Sequence, residues 1–243
     1  MFTRCSKLLL NSVSESLFFL AFSISLKKCT IHCYRDYLHI PNKANNFVIA
    51  NTKTMTVEQT KQAILGDWAS IAPEMRPSIS KDADGNMKPF YLTRAFKYSD
   101  GDQFELTVIN SADAYRKVPL VKMLIKGHMV WQGEHPIAPG AYKVDFIADS
   151  AYEVTPLLQG FADAMNQIAS TGYDKWEVNS PQSVFRKAFA PFSLSEGQTF
   201  MEYDLVYVLS DLLFWGARNV DGRGFDKPEN RPTNLQIPLI KVK

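Results

Sequence analysis

"FYLTRAFKYSDGDQFELTVI", residues 90–109, decides the fold class of this chain of 243 residues. Its first half alternates two sets of side chains, which is the period of a β-strand with one face turned inward. "SDGD" (residues 99–102) supplies the Asp-Gly pair of a tight turn, and the alternation resumes after it. The stretch therefore predicts a β-hairpin whose inner face carries Phe90, Leu92, Arg94, Phe96 and Tyr98.

Four more stretches continue the strand pattern. They are residues 118–133, 140–148, 199–209 and 212–218, and "QSVFRKAFAPF" (182–192) adds a weaker one. "TPLLQGFADAMNQI" (155–168) has helical spacing instead, with Thr155 placed to cap a helix and Pro156 at its first position. We therefore expect a mainly β protein: a strongly curved antiparallel sheet or small lipocalin-like barrel, with one interrupting helix and a short N-terminal helix.

The first 54 residues differ from the remainder in composition. They hold all three cysteines and none of the twelve glycines, although a β-rich domain needs glycine at its turns. They also carry seven Lys or Arg residues against two acidic ones, which leaves the remaining 189 residues with 20 basic and 23 acidic side chains. Without a net basic surface, the body is not expected to bind nucleic acid.

Three explanations of residues 1–54 remain open. "SESLFFLAFSISL" (14–26) resembles the apolar core of a secretory signal, the basic, Ser-rich composition resembles a transit peptide, and the reading frame could instead begin at Met55. We favour Met55, because "MTVEQTKQAILGDW" places Thr56 and Gln59 at capping-box spacing before a short helix. A single β-rich domain is thus expected over residues 55–243, after a non-domain leader. A start at Met55 predicts a cytoplasmic protein, and a genuine leader predicts a secreted or organellar one.

The apolar run within the leader spans about eleven residues, whereas a membrane-spanning helix needs about twenty. No transmembrane segment is therefore expected. The body has no cysteine, so it needs no oxidising compartment for disulfides.

Several motifs, read in order, carry a resemblance to a known family. "EMRP" (74–77), "FYLTRAFKY" (90–98), "VPLVKMLIKG" (118–127), "FWGAR" (214–218) and "RPTNLQIPL" (231–239) are similar to one repeat of the adenomatosis polyposis coli down-regulated protein family. The resemblance implies a curved antiparallel sheet with an apolar ligand cavity, and, in animals, a membrane-anchored antagonist of Wnt signalling. Family cysteines beside the first and third motifs are absent here, so the resemblance supports the fold more than the signalling role.

Catalytic and metal-binding motifs are absent from the sequence. It contains no Gly-x-Ser-x-Gly elbow, P-loop, His-Glu-x-x-His or Cys-x-x-Cys. His128 and His135 are the only histidines after residue 54, and a metal site needs three or four converging ligands. We therefore expect no catalytic residue, no metal and no cofactor.

Arg94 is the most informative polar residue, because it lies among inward-facing apolar positions. A buried guanidinium must be paired, either with an internal carboxylate or with the acid group of a bound ligand. The sequence thus gives a ligand-binding hypothesis: a hydrophobic small molecule, such as a fatty acyl chain, bound in the concave face of the sheet. The residues assigned to it are Arg94, Phe90, Phe96, Trp131, Tyr142 and Phe146, although the aromatic ones also suit a plain core.

Two other functions stay open. One is a small enzyme acting on a hydrophobic carbonyl or ester compound, with His128, Asp145 or Arg94 as acid, base or anion holder. The other is a protein-interaction module resembling the animal antagonist, with an unknown protein partner and an exposed apolar patch.

The loop "ARNVDGRGFDKPENRPTN" (217–234) carries nearly balanced charges. We expect these charges to pair within the loop, which would make it a structural crossing to a last strand. By analogy with lipocalin-like barrels, Arg218 is expected to pack on Trp68.

Overall fold

A computed structural model of the chain describes residues 54–81, 83–219 and 221–242. They all belong to one compact unit, Asn51–Lys243. The expected leader, residues 1–54, lies outside the described residues except for Thr54.

The first helix forms where the capping box predicted it. Helix α1 spans Val57–Ile64, and its N-cap Thr56 accepts a hydrogen bond from the Gln59 backbone N–H while the Gln59 side chain accepts one from the Thr56 N–H. Strand β1 (Gly66–Ser70) follows directly. Its Trp68 is 1% exposed and donates from Nε1 to the Ile64 carbonyl at 2.6 Å, which fixes the end of the helix against the sheet.

The remaining elements are mostly strands, as predicted. They are β2 (Glu74–Lys81), β3 (Met87–Ser99), β4 (Gln103–Ser111), β5 (Pro119–Glu134), β6 (Ala141–Pro156), α2 (Gln159–Ile168), β7 (Gln182–Ser183), β8 (Phe200–Leu209), β9 (Leu212–Trp215) and β10 (Leu239–Lys241). Two 3₁₀ turns lie at Ala190–Phe192 and Pro228–Asn230. The predicted tight turn at 99–102 joins β3 to β4, and residues 210–211 join β8 to β9.

Within the described residues, the ten strands form one antiparallel sheet that closes on itself. Strand β1 pairs with β3 at one edge (Trp68 opposite Phe96) and with β10 at the other (Trp68 opposite Lys241). The hydrogen-bonded ring therefore runs β1-β3-β4-β5-β6-β8-β9-β10, while β2 extends beside the first half of β3 and β7 beside the end of β6. The ring is uneven, since β5 and β6 have 16 residues each and β10 has three.

Alternate side chains of the ring point into the core. Val121, Met123, Ile125 and Met129 of β5 are all buried. No helix among the described residues is both long and apolar enough to cross a membrane.

The helix expected from Thr155 begins later than predicted. Thr155 and Pro156 are the last residues of β6, where they oppose Lys122 and Val121 of β5, and α2 begins at Gln159. Strand pairing continues because Leu157 N–H still donates to the Leu120 carbonyl at 2.8 Å. Similarly, only residues 182–183 of the expected strand at 182–192 pair with β6.

The C-terminal loop is held partly from outside itself. Arg223 pairs with Asp221 within the loop, as expected, but Arg231 pairs with Asp145 of β6 at 2.5 Å and donates to the Val144 carbonyl at 3.0 Å. Arg218 does not pack on Trp68: it lies over Phe225, and Lys241 takes the place over Trp68. The loop is thus anchored to β6 and β8 by the half-buried Arg231, whose Nη1 also donates to the Asp204 carbonyl of β8.

A glycine is required where the register of the β5–β6 pair shifts, between Lys126 and His128. A Cβ on Gly127 would lie 1.8 Å from the Ile147 carbonyl oxygen, so Gly127→Ala must displace backbone. We expect this change to destabilise the fold by about 3 kcal/mol, which lowers the melting temperature by roughly 6–12 °C.

Gly160→Ala is the matched control, because Gly160 lies in α2 with open space around it. It should raise the stability by about 0.5–1 kcal/mol. Equal melting temperatures for the Gly127→Ala variant and the parent would show that the two strands do not approach as described.

Candidate functional site

The ring's centre is filled by aromatic side chains. Trp215 stacks on Phe146 with ring centroids 4.0 Å apart and lies 4.2 Å from Phe96, while Phe104 meets Phe146 edge-on at 5.4 Å. Phe96 and Phe146 are 2% and 4% exposed. Two of the residues assigned to ligand binding thus lie in one packed aromatic cluster.

Trp131 and Tyr142 lie at another place, next to the residues that lead into α1. Their rings meet at 6.0 Å, Tyr142 donates its hydroxyl hydrogen to the Met55 carbonyl, and Trp131 Nε1 donates to Asp102. Trp131 is eight residues, roughly 26 Å, along β5 from the level of Arg94. Phe90 is half-buried near the start of β3. The six assigned residues therefore do not form one site.

Arg94 faces inward and is held by the protein's own groups. Its Nη1 donates to Glu74 of β2 and, at 3.0 Å, to Gln236 Oε1, and Glu74 also receives Arg76 Nη2 at 2.7 Å. Glu74 and Arg94 side chains are 11% and 15% exposed. Two guanidinium groups thus share one carboxylate, and burial together with the positive charge of Arg94 contributes to lowering the pKa of Arg76. This is the internal ion pair that the sequence left open as an alternative.

Two carboxylic acids of β8 also turn inward. Glu202 opposes Phe146 and Asp204 opposes Val144 of β6, so both lie on the core side of the strand. Asp204 Oδ1 accepts hydrogen bonds from the Leu205 and Gly216 backbone N–H groups at 2.7 and 2.9 Å. Burial first, and then the charge of Glu202, raise the pKa of Asp204 to about 7.

Glu202 has no hydrogen bond or ion pair with another described residue. Burial raises the pKa of its carboxyl, and the positive charges of Arg94, Arg218 and Arg76 oppose this rise from a distance. The side chain lies deep in the molecule but is only half-buried, so solvent reaches it. An ionised Glu202 is consequently a carboxylate to which no described residue donates, so its donors come from solvent or from a ligand.

A small cavity adjoins this carboxylate. Glu202 is the only ionisable residue of its lining, which otherwise consists of Phe104, Leu106, Ile125, Phe146, Ala148, Phe200 and Trp215. The volume open to the centre of a water-sized group is ≈ 10 Å³, about enough for one water molecule. The cavity thus combines apolar and aromatic walls with a single unpartnered carboxylate.

Two further polar groups, the Tyr98 hydroxyl and Trp215 Nε1, lie close to this region. Both belong to nearly inaccessible side chains, and after burial a side-chain hydrogen bond with Trp215 is the main influence on the pKa of the Tyr98 hydroxyl. Burial raises the pKa of Tyr98 well above its usual value.

The three residues of the enzyme hypothesis are not brought together. His128 lies beside the register shift of the β5–β6 pair, and its Nδ1 is 2.8 Å from Asp149. Asp145 instead pairs with Arg231 and accepts a hydrogen bond from the Gln132 side chain. His135 is buried, and burial lowers its pKa. Among the described residues, no group of three or more His, Cys, Asp or Glu side chains is placed to hold a metal ion.

Sequence reasoning found Arg94 but missed Glu74, Gln236 and Glu202. A signal for Glu202 exists in "TFMEYDLVYVL", where Glu202 and Asp204 share the alternation of the buried Val206 and Val208. Acids on the face of valines are the sign of a buried carboxylate. No comparable signal identifies Gln236, which lies 142 residues from Arg94. No protein-family model matches the chain.

Because Arg76 and Arg94 share the Glu74 carboxylate, removing Arg94 and removing Glu74 should lower the stability by different amounts. Arg94→Met should destabilise by about 3 kcal/mol, because Glu74 keeps its bond to Arg76. Glu74→Gln should cost more, since it leaves two part-buried guanidinium groups without their carboxylate. Urea denaturation of both variants measures the difference.

Lys175→Met is the control for charge removal, because the Lys175–Glu177 pair is exposed and 3.6 Å apart. Its effect should be near zero. The shared-carboxylate description would be wrong if Glu74→Gln were less destabilising than Arg94→Met.

The raised pKa of Asp204 predicts that the stability of the folded protein depends on pH. Its pKa in the folded protein, about 7, lies above the ordinary value of 3.8, so the folded state binds this proton more tightly than the unfolded state. Folding is therefore favoured at low pH, and this contribution is lost as the pH rises from about 4 to 7. Asp204→Asn keeps the acceptor for Leu205 and Gly216 but does not titrate.

The measurement is the melting temperature of both proteins between pH 4.5 and 8. We expect the wild type to lose stability relative to Asp204→Asn as the pH rises through this range. Parallel curves would contradict a raised pKa at Asp204, and the other titrating groups are common to both proteins.

Proposed function

We propose that this protein binds a small hydrophobic molecule in the interior of its curved sheet. The observation that carries the proposal is the cavity of aromatic and aliphatic side chains beside Glu202. Binding sites for small molecules typically combine such apolar walls with one or two placed polar groups. The resemblance to the adenomatosis polyposis coli down-regulated family, with its apolar cavity, supports the same proposal.

The cavity sets the size of the part that enters it. Room for about one water-sized group admits the end of a chain, and a longer acyl chain needs displacement of neighbouring side chains. Anchoring of an acid group by Arg94 remains part of the proposal for a fatty acyl ligand. It requires the ligand to compete with Glu74 and Gln236 for the same guanidinium.

The test uses 1-hexanol as a neutral probe and Ala148, which is 1% exposed and lines the cavity. Hexanol binding should appear as a saturable shift of the Trp215 indole N–H signal in a ¹H–¹⁵N NMR titration. Ala148→Leu fills the cavity and should weaken this binding at least tenfold. Its folding is checked by thermal melting, because overpacking costs about 1–3 kcal/mol.

Ala95→Leu is the matched control, since Ala95 is exposed on the outer face of β3, away from the cavity. It should leave hexanol binding unchanged. If hexanol does not shift the Trp215 signal, or binds Ala148→Leu as well as the parent, the cavity is not a binding site.

A second candidate is an acid–base enzyme acting on a hydrophobic carbonyl or ester compound. The observation favouring it is the inward pair Glu202 and Asp204, because a carboxyl group with a pKa near 7 can donate and accept protons at neutral pH. His128 and Asp145 have no part in this version. Turnover of a hydrophobic ester that is lost in Glu202→Gln would favour it over simple binding.

An interaction module remains the third candidate. Ile240 and Val242 are 44% and 53% exposed beside Ile71, which is 50% exposed, at the β1–β10 pair. Exposed apolar groups of this kind are typical of contact surfaces.

A further inference from the structure

The Glu202 carboxylate lacks a direct cationic partner although three arginines are within electrostatic reach. Arg76 and Arg94 both donate to Glu74, and Arg218 lies over Phe225 with Nη2 3.5 Å from the Gly222 carbonyl. The positive groups are thus held by other contacts. A ligand that brings its own donor to Glu202 meets a need that the described residues leave open.

The walls of the cavity favour a positive charge next to this carboxylate. Four aromatic rings contribute to the lining, from Phe104, Phe146, Phe200 and Trp215. The face of an aromatic ring attracts cations, and this attraction strengthens when the cation is removed from water. The carboxylate is the main attraction for an alkylammonium ion here, because Phe146 and Trp215 stack on each other and each has one face covered.

The size of the cavity selects among such ions. It accommodates about one water-sized group, which fits a primary –NH₃⁺ but not a trimethylammonium group. The partial exposure of Glu202 gives this group a route from solvent.

We propose that the Glu202 cavity is a recognition site for a primary ammonium group at the end of an apolar chain. This inference rests on the proposed binding function and specifies the head-group of its ligand. This ammonium site differs from the proposed anchoring at Arg94, where the ligand would carry a carboxylate head-group instead.

The experiment compares four probes with one six-carbon chain: hexylamine, 1-hexanol, hexanoate and hexyltrimethylammonium. Each is titrated at pH 8 against the full chain, with the Trp215 indole N–H signal as reporter, assigned through Trp215→Phe. Hexylamine should bind at least tenfold more tightly than hexanol. Hexanoate should bind more weakly than hexanol, because Glu202 repels its negative charge. Hexyltrimethylammonium should also bind more weakly, because its head-group is too large for the cavity.

Three variants localise the preference. Glu202→Gln should remove the tenfold advantage of hexylamine over hexanol, and thermal melting shows whether the variant is folded. Phe104→Leu should weaken hexylamine more than hexanol, because one aromatic ring is lost. Glu177→Gln, at a carboxylate that is 62% exposed, should change neither.

The outcomes separate this inference from the function on which it rests. Equal affinities for hexylamine and hexanol, or a hexylamine preference that survives Glu202→Gln, would overturn the ammonium site while leaving hydrophobic binding intact. Hexanoate as the tightest probe, weakened by Arg94→Met, would assign the head-group to Arg94 instead. If no probe shifts the Trp215 signal, both the ammonium site and the binding function fail.

Discussion

The pairing of β1 with both β3 and β10 is the constraint on which the rest of the structure depends. These two contacts convert a long antiparallel sheet into a ring, and they separate every strand into an inner and an outer set of side chains. The inner set has a limited volume, which explains why glycine stands at two close contacts. At Gly127 a side chain would meet the Ile147 carbonyl, and at Gly216 it would meet Pro232 and Asp204.

A closed interior makes each inward charge expensive unless it is paired. Arg76, Arg94 and Glu74 satisfy one another, and Asp204 is held by two backbone N–H groups. Such arrangements are the usual ways of burying ionisable groups. They serve the stability of the fold, because they join β2 to β3 and join β8 to Gly216, which follows β9.

Glu202 is the exception among these inward groups. Its neighbours on the cavity wall are apolar or aromatic, and the nearest cations contact other groups. A carboxylate in this position lowers the stability of the isolated protein, and a binding partner that compensates the charge can recover the loss. Glu202 is therefore the inward charge that a ligand can stabilise, whereas Glu74 and Asp204 already have partners within the protein.

The sequence predicted those parts of the fold that depend on local chemistry. The turn at 99–102 and the capping box at Thr56 and Gln59 are set by residues only a few positions apart, and both formed as expected. The start of α2 was predicted wrongly, because pairing of Thr155 and Pro156 with β5 outweighs their local preference for a helix end. Local sequence preferences fail to predict where a helix begins when the preceding strand can continue its hydrogen bonding.

The site was less predictable for the same reason. Alternation along β3 indicated that Arg94 faces inward, but its partners come from the neighbouring strand β2 and from Gln236, which lies 142 residues further along the chain. The charges of the 217–234 loop suggested pairing within the loop, and Arg231 instead reaches Asp145 of β6. Long-range pairs between charged residues carry no spacing rule that a single sequence displays.

The measurement that tests the account most directly is a pH titration of the Glu202 carboxyl carbon by ¹³C NMR, with the resonance assigned by its loss in Glu202→Gln. We expect a pKa above the usual 4.5, because the apolar surroundings of this half-buried carboxylate disfavour its charge, and we expect this pKa to fall when hexylamine is added. A pKa at or below 4.5 that hexylamine does not change would show that Glu202 is satisfied within the protein, and the proposed site would then have no basis.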